Sequence, residues 1–494
     1  MDESLANAHT ACEARSRIAM YEKSMTARKH TNHQMSSNQA LEPAAVVCQR
    51  RVLSLLTAAL MAVPAMGAAA WGEDKPAAAE TAVSAAAEWE AGLDAVMAAF
   101  MEPRKVPGGS LAVAKNGRLV FAKGYGWADP GTQEPVTPAT RFRIASISKP
   151  LTALAILKLV EAGKLSLDAP MLDFFPGPYL LEEGKEPDPR LKQIRVRHLL
   201  QHTGGWDRAA SGDPMFKSAF IAEKTGTAAP ADTAAIIRYV LGQPLDFAPG
   251  ERYAYSNFGY CLLGRIIEQR SGLPYAEYVQ QAVLQPCGAQ NLALGASQEA
   301  ARAGGEPRYC MPEGDNEPTR SVFPGQAEKV PWPYGGFCLE AMDSHGGWIA
   351  SAPDLLRVTA ALAEGAERPL LGAKIRALLF EPPAPPVSRN DDGTLKDSFY
   401  TCGWMVRNQD GKFLRYSHNG SLPGTWTILT QRADGYSWAV LFNQRSSGQK
   451  LDDFDIDRAV NRWLDEAKSC PEVDLFPKQE HGVVTPRKEA AERR

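Results

Sequence analysis

The sequence predicts an α/β (α+β) fold in which one antiparallel sheet is assembled from strands near both ends of the chain. Strand-like runs occupy 110–122 and return between 402 and 442. The intervening stretch, about 160–350, carries helical patterns with much Gly and Pro, and no internal repeat occurs. Strands at both ends with helices between them indicate one sheet that is flanked by helices and carries a helical insertion.

The first elements are a helix and a hairpin. An Ala-rich segment with apolar residues at helical spacing predicts a helix over about 77–100. Two strand-like runs, 110–114 and 119–122, flank Asn116-Gly117, a dipeptide that tight hairpin turns favour. We therefore expect these two strands to pair.

Helices fill the middle of the chain, and strands return after it. A segment at 196–205 predicts a helix that ends at a pair of glycines, and a second helix over 258–270 has Asn257 as its expected N-cap. Asp434-Gly435 indicates a turn between late strands. The late elements comprise four strands and a closing helix, predicted at 402–406, 413–416, 426–430, 436–442 and 452–467.

The N-terminal 70 residues have the pattern of an extension followed by a signal peptide. Arg50-Arg51 precede an apolar run over 52–63, and small residues follow up to Ala70. The run is shorter than the ~20 residues that a spanning helix needs. We expect export to the periplasm or outside the cell, with a signal at about 50–70 and no stable membrane span after cleavage. The folded domain is then 71–470, followed by a polar tail at 471–494.

Composition limits the classes of partner. The formal net charge of −3 and the charged fraction of 22% give no basic surface that would favour nucleic acid. Six of the eight cysteines follow the signal, and an exported protein could pair them in 15 ways or keep them as buried thiols. They are widely spaced with no C-x-x-C pattern, so we expect neither a metal nor another cofactor.

Ser146-Ile147-Ser148-Lys149 is the pattern with the clearest chemistry. Residues three apart lie on one side of a helix, so the Lys149 amine can lie beside the Ser146 hydroxyl and activate it as a nucleophile. Pro150 suits a first helical turn, and an apolar stretch follows. The same spacing recurs at 447–450, but that copy lies in a Gly/Ser-rich stretch without a helical pattern.

Two further motifs follow in order: Tyr255-Ser256-Asn257 and His418-Asn419-Gly420. Alone, each has an ordinary structural interpretation, as a helix cap and as a turn. The ordered set resembles the three active-site elements of the serine β-lactamase and penicillin-binding-protein superfamily, most closely its class C-like branch. Segments at 198–205 and 346–355 resemble that family's "LLxHTSG" and "GGLxSTxxDL" segments, and the resemblance covers roughly 85–468.

The resemblance implies a β-lactamase/transpeptidase-like fold and a role for each motif residue. Ser146 would be the acylated nucleophile, and Lys149 with Tyr255 would transfer protons, with the identity of the base left open. Asn257 would orient the substrate. The substrate-binding set implied by the resemblance is completed by His418, Gly420 and Ser421, and the backbone N–H groups of Ser146 and Ser421 would form the oxyanion hole.

The third motif departs from the family pattern, because class C enzymes normally carry Lys-Thr-Gly there. A literal Lys224-Thr225-Gly226 precedes Tyr255 in loop-like sequence and is therefore excluded. A histidine carries charge only when protonated, near pH ~6.5 without perturbation. We therefore expect turnover of carboxylate-bearing substrates to fall as His418 loses its proton, which weakens the case for efficient β-lactam hydrolysis.

The resulting prediction is an exported serine hydrolase that works through an acyl-enzyme on Ser146. It resembles D,D-peptidases, D-amino-acid peptidases and esterases, with small-molecule, peptidoglycan-type peptide or ester substrates. One alternative is a class C-like β-lactamase, and another is a non-catalytic binding or scaffold protein with the same fold. The sequence contains no G-x-S-x-G, H-E-x-x-H or P-loop motif that would favour another enzyme class, and the oligomeric state stays open.

Overall fold

An eight-stranded antiparallel sheet carries strands from both ends of the chain. The computed structural model describes residues 75–326, 328–409, 412–445 and 452–476. The strands are, in chain order, β1 (Gly108–Lys115), β2 (Arg118–Asp129), β3 (Glu134–Pro135), β4 (Phe142–Arg143), β5 (Ala293–Leu294), β6 (Thr319–Arg320), β7 (Lys329–Val330), β8 (Trp348–Ala350), β9 (Ser398–Tyr400), β10 (Met405–Gln409), β11 (Lys412–Leu422), β12 (Thr425–Arg432) and β13 (Tyr436–Phe442). The large sheet has the order β3-β2-β1-β13-β12-β11-β10-β9, whereas β4-β8-β5 and β6-β7 form small separate sheets.

The predicted hairpin and its place in the sheet are confirmed. Asn116 and Gly117 have φ values of +50° and +79°, as a type I′ turn requires, and join β1 to β2. The other edge of β1 pairs with the last strand, β13, so that Leu111 lies opposite Val440. This pairing joins the N-terminal and C-terminal strands at the centre of the sheet.

Helices cover both faces of the sheet. Successive residues of β1 face opposite sides: Leu111 and Val113 pack in one core with Trp89, whereas Ala112 and Ala114 belong to the larger core on the other side. The α-helices are, in chain order, α1 (Lys75–Arg104), α2 (Ser148–Glu161), α3 (Val196–Leu200), α4 (Ser218–Thr225), α5 (Thr233–Val240), α6 (Asn257–Ser271), α7 (Tyr275–Val279), α8 (Ala352–Leu362), α9 (Ala373–Ala377) and α10 (Asp455–Glu466). Helices α1 and α10 pack together, and α8 packs against β1 and β13.

Helix boundaries in the insertion differ from the prediction at two places. Helix α6 begins at Asn257, and its N-cap is Ser256, whose Oγ accepts a hydrogen bond from the Gly259 N–H at 3.3 Å. The expectation that Asn257 is the cap is therefore wrong by one residue, which frees the Asn257 amide for other contacts. Helix α3 stops at Leu200, and His202 adopts φ of +55° beyond its end.

The described residues leave the targeting prediction untested. The predicted signal at about 50–70 and the tail beyond 476 lie outside them, while Leu475 at the start of that tail donates its N–H to the Leu119 carbonyl at 2.8 Å. Among the described helices, none is long and apolar enough to cross a membrane. The cysteines of the described chain are all unpaired thiols: Cys261, Cys287, Cys310, Cys338, Cys402 and Cys470.

Candidate active site

Ser146 lies in a short 3-10 turn, Ala145–Ile147, which leads directly into α2. The Lys149 Nζ lies 3.1 Å from the Ser146 Oγ, so the three-residue spacing brings the two groups together as predicted. Ala145 has φ of +46°, a left-handed conformation that is strained for a residue with a side chain. Such strain persists only where the surrounding structure holds the backbone in place.

Two strands hold the backbone just before Ser146. The Ile144 N–H donates to the Trp348 carbonyl of β8 at 2.9 Å, and its own carbonyl accepts from Thr427 Oγ1 of β12 at 3.1 Å. Thr425 Oγ1 donates to the Arg143 carbonyl at 3.1 Å. The turn that presents Ser146 is therefore fixed from both the small sheet and the large one.

Arg143 anchors the same segment from within the core. Its side chain and that of Glu306 are fully buried, with Arg143 Nε 3.5 Å from Glu306 Oε1. The guanidinium also donates to the Pro333 carbonyl at 2.7 Å, and the Arg143 backbone N–H donates to Tyr309 Oη at 2.7 Å. Because no short motif marks this cluster, reasoning from the sequence missed it.

Gly420 lets β11 approach the Ser146 turn. A Cβ at this position would lie 2.2 Å from the Ile144 carbonyl oxygen and 2.4 Å from Thr427 Oγ1. Only glycine fits that approach. Pairing between β11 and β10 ends at Ser417, so residues 418–422 leave an open strand edge beside the nucleophile, and Ser421 is exposed there.

Lys149 is fully buried, and its charge is therefore costly. Burial lowers the pKa of the Lys149 amine well below its usual value of 10.5, Arg208 lowers it further, and Asp213 opposes the shift. The amine contacts the His345 carbonyl oxygen at 2.9 Å in addition to Ser146. Burial thus favours the neutral form of the Lys149 amine, and a neutral amine can accept the hydroxyl proton of Ser146.

Tyr255 is placed between several of these groups. Its hydroxyl lies within hydrogen-bonding reach of Ser146. The Lys149 Nζ lies 4.8 Å from the centroid of the Tyr255 ring, and the Arg208 guanidinium carbon lies 4.7 Å from the same centroid. Burial raises the pKa of the Tyr255 phenol, so the hydroxyl keeps its proton at neutral pH.

The side-chain amide of Asn257 has a hydrogen-bond partner for its nitrogen but not for its oxygen. Its Nδ2 donates to Asp213 Oδ2 at 2.6 Å, while its buried Oδ1 has no hydrogen-bond partner among the described residues. The Asp213 carboxylate also accepts from the Met215 N–H at 3.1 Å and is thereby held in place. This arrangement fixes the amide orientation and presents the Asn257 oxygen as an acceptor.

His418 lies inside β11, with a side chain that is 5% exposed, rather than at the end of a strand. Its Nδ1 is 2.7 Å from the Asn419 carbonyl oxygen and its Nε2 is 3.0 Å from Tyr400 Oη. A neutral ring with a proton on Nδ1 satisfies both contacts, with Tyr400 as the donor to Nε2. Burial lowers the pKa of His418 to about 3, so the expectation of a charge change near pH 6.5 is wrong.

A cavity of about 720 Å³ brings most of the predicted residues together. Five of them line it: Ser146, Tyr255, Asn257, His418 and Ser421. Lys149 lies buried beside Ser146, and Gly420 forms part of the adjoining strand. The wall also includes residues that no sequence motif indicated, among them Arg208, Phe216, Tyr253, Tyr400 and Arg445.

The Lys224-Thr225-Gly226 sequence does not contribute to this cavity. Lys224 and Thr225 end α4, and Gly226 caps that helix in a left-handed conformation with φ of +66°. The expectation of a loop there is wrong. The position of these residues at the end of a helix, away from the described cavity lining, agrees with their exclusion as the third motif. Within the described ranges, no cluster of three or more potential metal ligands occurs.

Sequence comparison identifies the family. Residues 93–461 match the Beta-lactamase family, a span that covers most of the chain. The chain belongs to the Beta-lactamase family. The predicted superfamily and fold are thereby confirmed.

Two relatives match parts of the chain. Esterase EstB from Burkholderia gladioli is 30% identical over 281 residues, or 54% of this chain and 63% of EstB. Protein flp from Staphylococcus aureus (strain COL) is 29% identical over 194 residues, which are 39% of this chain and 36% of flp. The chain therefore matches less than two-thirds of the length of either relative.

Two solved structures share the architecture. The octameric penicillin-binding protein homologue from Pyrococcus abyssi superposes with a TM-score of 0.57 and 27% identity over 78% of each chain. The D-amino acid amidase from Ochrobactrum anthropi SV3 superposes with a TM-score of 0.58 over 77% of this chain and 98% of its own. At 22% identity, the amidase supports the fold alone.

Proposed function

We propose that this protein is a serine carboxylesterase that works through an acyl-enzyme on Ser146. The observation that carries the proposal is the 3.1 Å contact between the Ser146 hydroxyl and a fully buried Lys149 amine. Burial favours the neutral amine, which is the form that can remove a proton. A scaffold protein would have no chemical reason to keep a fully buried lysine beside an accessible serine.

In the acylation step Lys149 acts as the base. The Ser146 proton passes to the Lys149 nitrogen while Ser146 Oγ forms a bond to the ester carbonyl carbon. The carbonyl oxygen gains negative charge, and the backbone N–H groups of Ser146 and Ser421 are the proposed donors to it. The close approach of β11 at Gly420 and the open strand edge at 418–422 support that assignment.

Tyr255 is the proposed proton donor to the leaving group. When the carbon–oxygen bond to the alcohol breaks, the Tyr255 hydroxyl gives its proton to the leaving oxygen and regains one from the Lys149 ammonium. A phenol whose pKa is raised by burial suits a donor better than a base. Water then attacks the acyl-enzyme by the reverse path, which releases the acid and restores Ser146.

The charge state of His418 favours esters over β-lactams. A lysine at the third motif would supply a permanent cation for a substrate carboxylate on the strand side, but His418 is neutral and engaged with Tyr400. Tyr253, Tyr400 and Phe216 give the cavity aromatic walls that suit an uncharged acyl group. The similarity to Esterase EstB agrees with this choice.

A second candidate is hydrolysis of peptides or amides of D-amino acids. The buried Asn257 Oδ1 without a partner is an acceptor that a substrate amide N–H could satisfy and an ester could not. The fold shared with the D-amino acid amidase is consistent with this alternative.

A substrate panel on the purified full chain tests the proposal. The panel contains p-nitrophenyl acetate and butyrate, a chromogenic cephalosporin and an N-acyl-D-Ala-D-Ala peptide, with acyl-enzyme followed by intact mass. We expect wild type to turn over the esters. Ser146→Ala should lose both ester turnover and the covalent adduct, whereas the matched control Ser447→Ala should keep both. Faster turnover of the cephalosporin or peptide would replace the esterase assignment, and absence of any adduct would favour a binding protein.

We also propose that the protein is exported. The support is the arginine pair at 50–51, the short apolar run after it and the small residues that end near Ala70. Fractionation of cells that express the full chain, with N-terminal sequencing of the product, tests this. A product that begins near residue 70 outside the cytoplasm supports export, whereas an intact N-terminus in the cytoplasm contradicts it.

A further inference from the structure

The described wall of the active-site cavity contains two arginines, Arg208 and Arg445, and no carboxylate. Because His418 is neutral and Lys149 is buried, these guanidinium groups supply the positive charge of the described cavity surface. A concave site with cations and no acid attracts an anionic substrate group. The Arg208 guanidinium lies over the Tyr255 ring, whereas that of Arg445 lies over the Trp332 ring.

Arg208 comes from the helical insertion, in the loop after Trp206. Its guanidinium carbon lies 4.7 Å from the centroid of the Tyr255 ring, within cation–π range. The side chain is exposed and lines the cavity together with Ser146. Contact with the Tyr255 ring face holds the charged head at the cavity while its N–H donors stay available.

The acidic residues near Arg208 have other partners. Asp207 pairs with Arg252 at 2.8 Å, and Asp213 accepts from Asn257 at 2.6 Å. Asp246 accepts from the Asp207 N–H at 2.7 Å. Within the described chain, no carboxylate comes within ion-pair distance of Arg208, so a substrate anion would meet no internal competitor.

We propose that Arg208 binds a carboxylate on the leaving-group part of the substrate, so that the enzyme prefers esters whose alcohol carries a negative charge. This inference rests on the proposed function, in which Tyr255 protonates the leaving oxygen. The leaving group must then lie against Tyr255, and Arg208 lies over the ring of that residue. A guanidinium and a carboxylate form charge-assisted, bidentate hydrogen bonds in that geometry.

The chemistry of the reaction sets the kinetic signature. The acyl carbon–oxygen bond breaks and the leaving oxygen takes a proton from Tyr255, while the remote carboxylate keeps its charge throughout. Its contact with Arg208 is therefore equally strong in the ground state and the transition state, and equal binding of both lowers KM without raising kcat. Loss of Arg208 should raise KM for the charged substrate by about tenfold or more, the size of one charge-assisted hydrogen bond.

Two acetate esters that differ only in the leaving group test the inference. Phenyl acetate and 3-acetoxybenzoate share an acyl group, and the second carries a carboxylate on its leaving phenol. We expect wild type to prefer 3-acetoxybenzoate, and Arg208→Gln to abolish that preference through KM. The matched control is Lys217→Gln, which removes a cation of the same segment whose Nζ contacts the Ser211 carbonyl at 2.8 Å; its substrate ratio should equal that of wild type.

The possible failures are distinguishable. If Arg208→Gln keeps the preference while Ser146→Ala loses all turnover, the inference fails and the proposed function stands. A preference that disappears in Arg445→Gln but not in Arg208→Gln would move the anion site to Arg445 and overturn the assignment. Absence of turnover of both esters by wild type would overturn the proposed function and this inference with it.

Discussion

Gly420→Ala is the perturbation that most directly tests how the fold presents its nucleophile. The alanine Cβ would lie 2.2 Å from the Ile144 carbonyl oxygen and 2.4 Å from Thr427 Oγ1, whereas Cβ atoms in proteins do not approach closer than 3.0 Å. Relief requires a separation of at least 0.8 Å, the difference between 3.0 and 2.2 Å, between β11 and the segment before Ser146. Both neighbours are held by hydrogen bonds, so neither moves freely.

The displacement should affect activity more than stability. Overpacking by one methyl group destabilises a fold by about 1–3 kcal/mol. A misplacement near 1 Å of reacting groups can lower the rate about 100-fold. We therefore expect kcat/KM for p-nitrophenyl acetate to fall by about two orders of magnitude in a protein that still folds.

Ester turnover, urea unfolding and the rate at which a fluorophosphonate phosphonylates Ser146, with loss of fluoride, measure these effects. Gly304→Ala is the matched control, because a Cβ there meets no atom within 4 Å, and it should behave as wild type. Rates of phosphonylation and ester turnover equal to those of wild type in Gly420→Ala would refute the reasoning that β11 must approach this closely. Loss of folding in Gly420→Ala would mean that the contact sets stability rather than alignment.

Three further predictions concern buried charge. Burial holds the Lys149 pKa below 10.5, so between its folded and unfolded pKa values the unfolded chain binds one more proton, and the free energy of unfolding rises with pH by up to about 1.4 kcal/mol per pH unit. Lys149→Met should lose ester turnover, and urea unfolding at several pH values should show that it also loses this pH-dependent contribution. Equal pH slopes in wild type and Lys149→Met would contradict the burial argument. Because the His418 pKa is about 3, the pH profile of kcat/KM should have the same shape in His418→Gln as in wild type from about pH 5 to 9. A titration near pH 6.5 that appears in the wild-type profile and is absent from that of His418→Gln would show that the histidine becomes charged there. Glu306→Gln leaves the Arg143 guanidinium buried without its counter-charge and should lower the free energy of unfolding by about 3–5 kcal/mol. The control Glu313→Gln, which breaks an exposed pair with Lys105, should change it little. Similar losses in the two variants would argue against a structural role for the buried pair.

Local sequence determined much of the fold and part of the site. Asn116-Gly117 specifies its turn through backbone preferences that two residues carry by themselves. The spacing of Ser146 and Lys149 brings the two groups together because a helical turn places residues three apart on one side. Both results depend on short-range geometry, which is why they could be predicted without knowledge of the packing.

The tertiary structure decided the charges and the exact neighbours. His418 is a histidine in any context, but its neutrality follows from burial. Its Nε2 contact is Tyr400, which lies 18 residues away in the chain. The same holds for the cap of α6, which is Ser256 rather than Asn257, and for the buried Asn257 oxygen, which has no partner among the described residues. No motif could indicate these features, because each depends on which side chains meet across the fold.

Sequence by itself therefore determined the family, the sheet assembled from both ends of the chain, and the pairing of a serine with a lysine. Only the tertiary structure decided that Lys149 is buried, that the third motif carries no charge, and that Arg208 lies over Tyr255. The physical reason is that reactivity in this site depends on desolvation and on long-range neighbours, and both are properties of the packed chain.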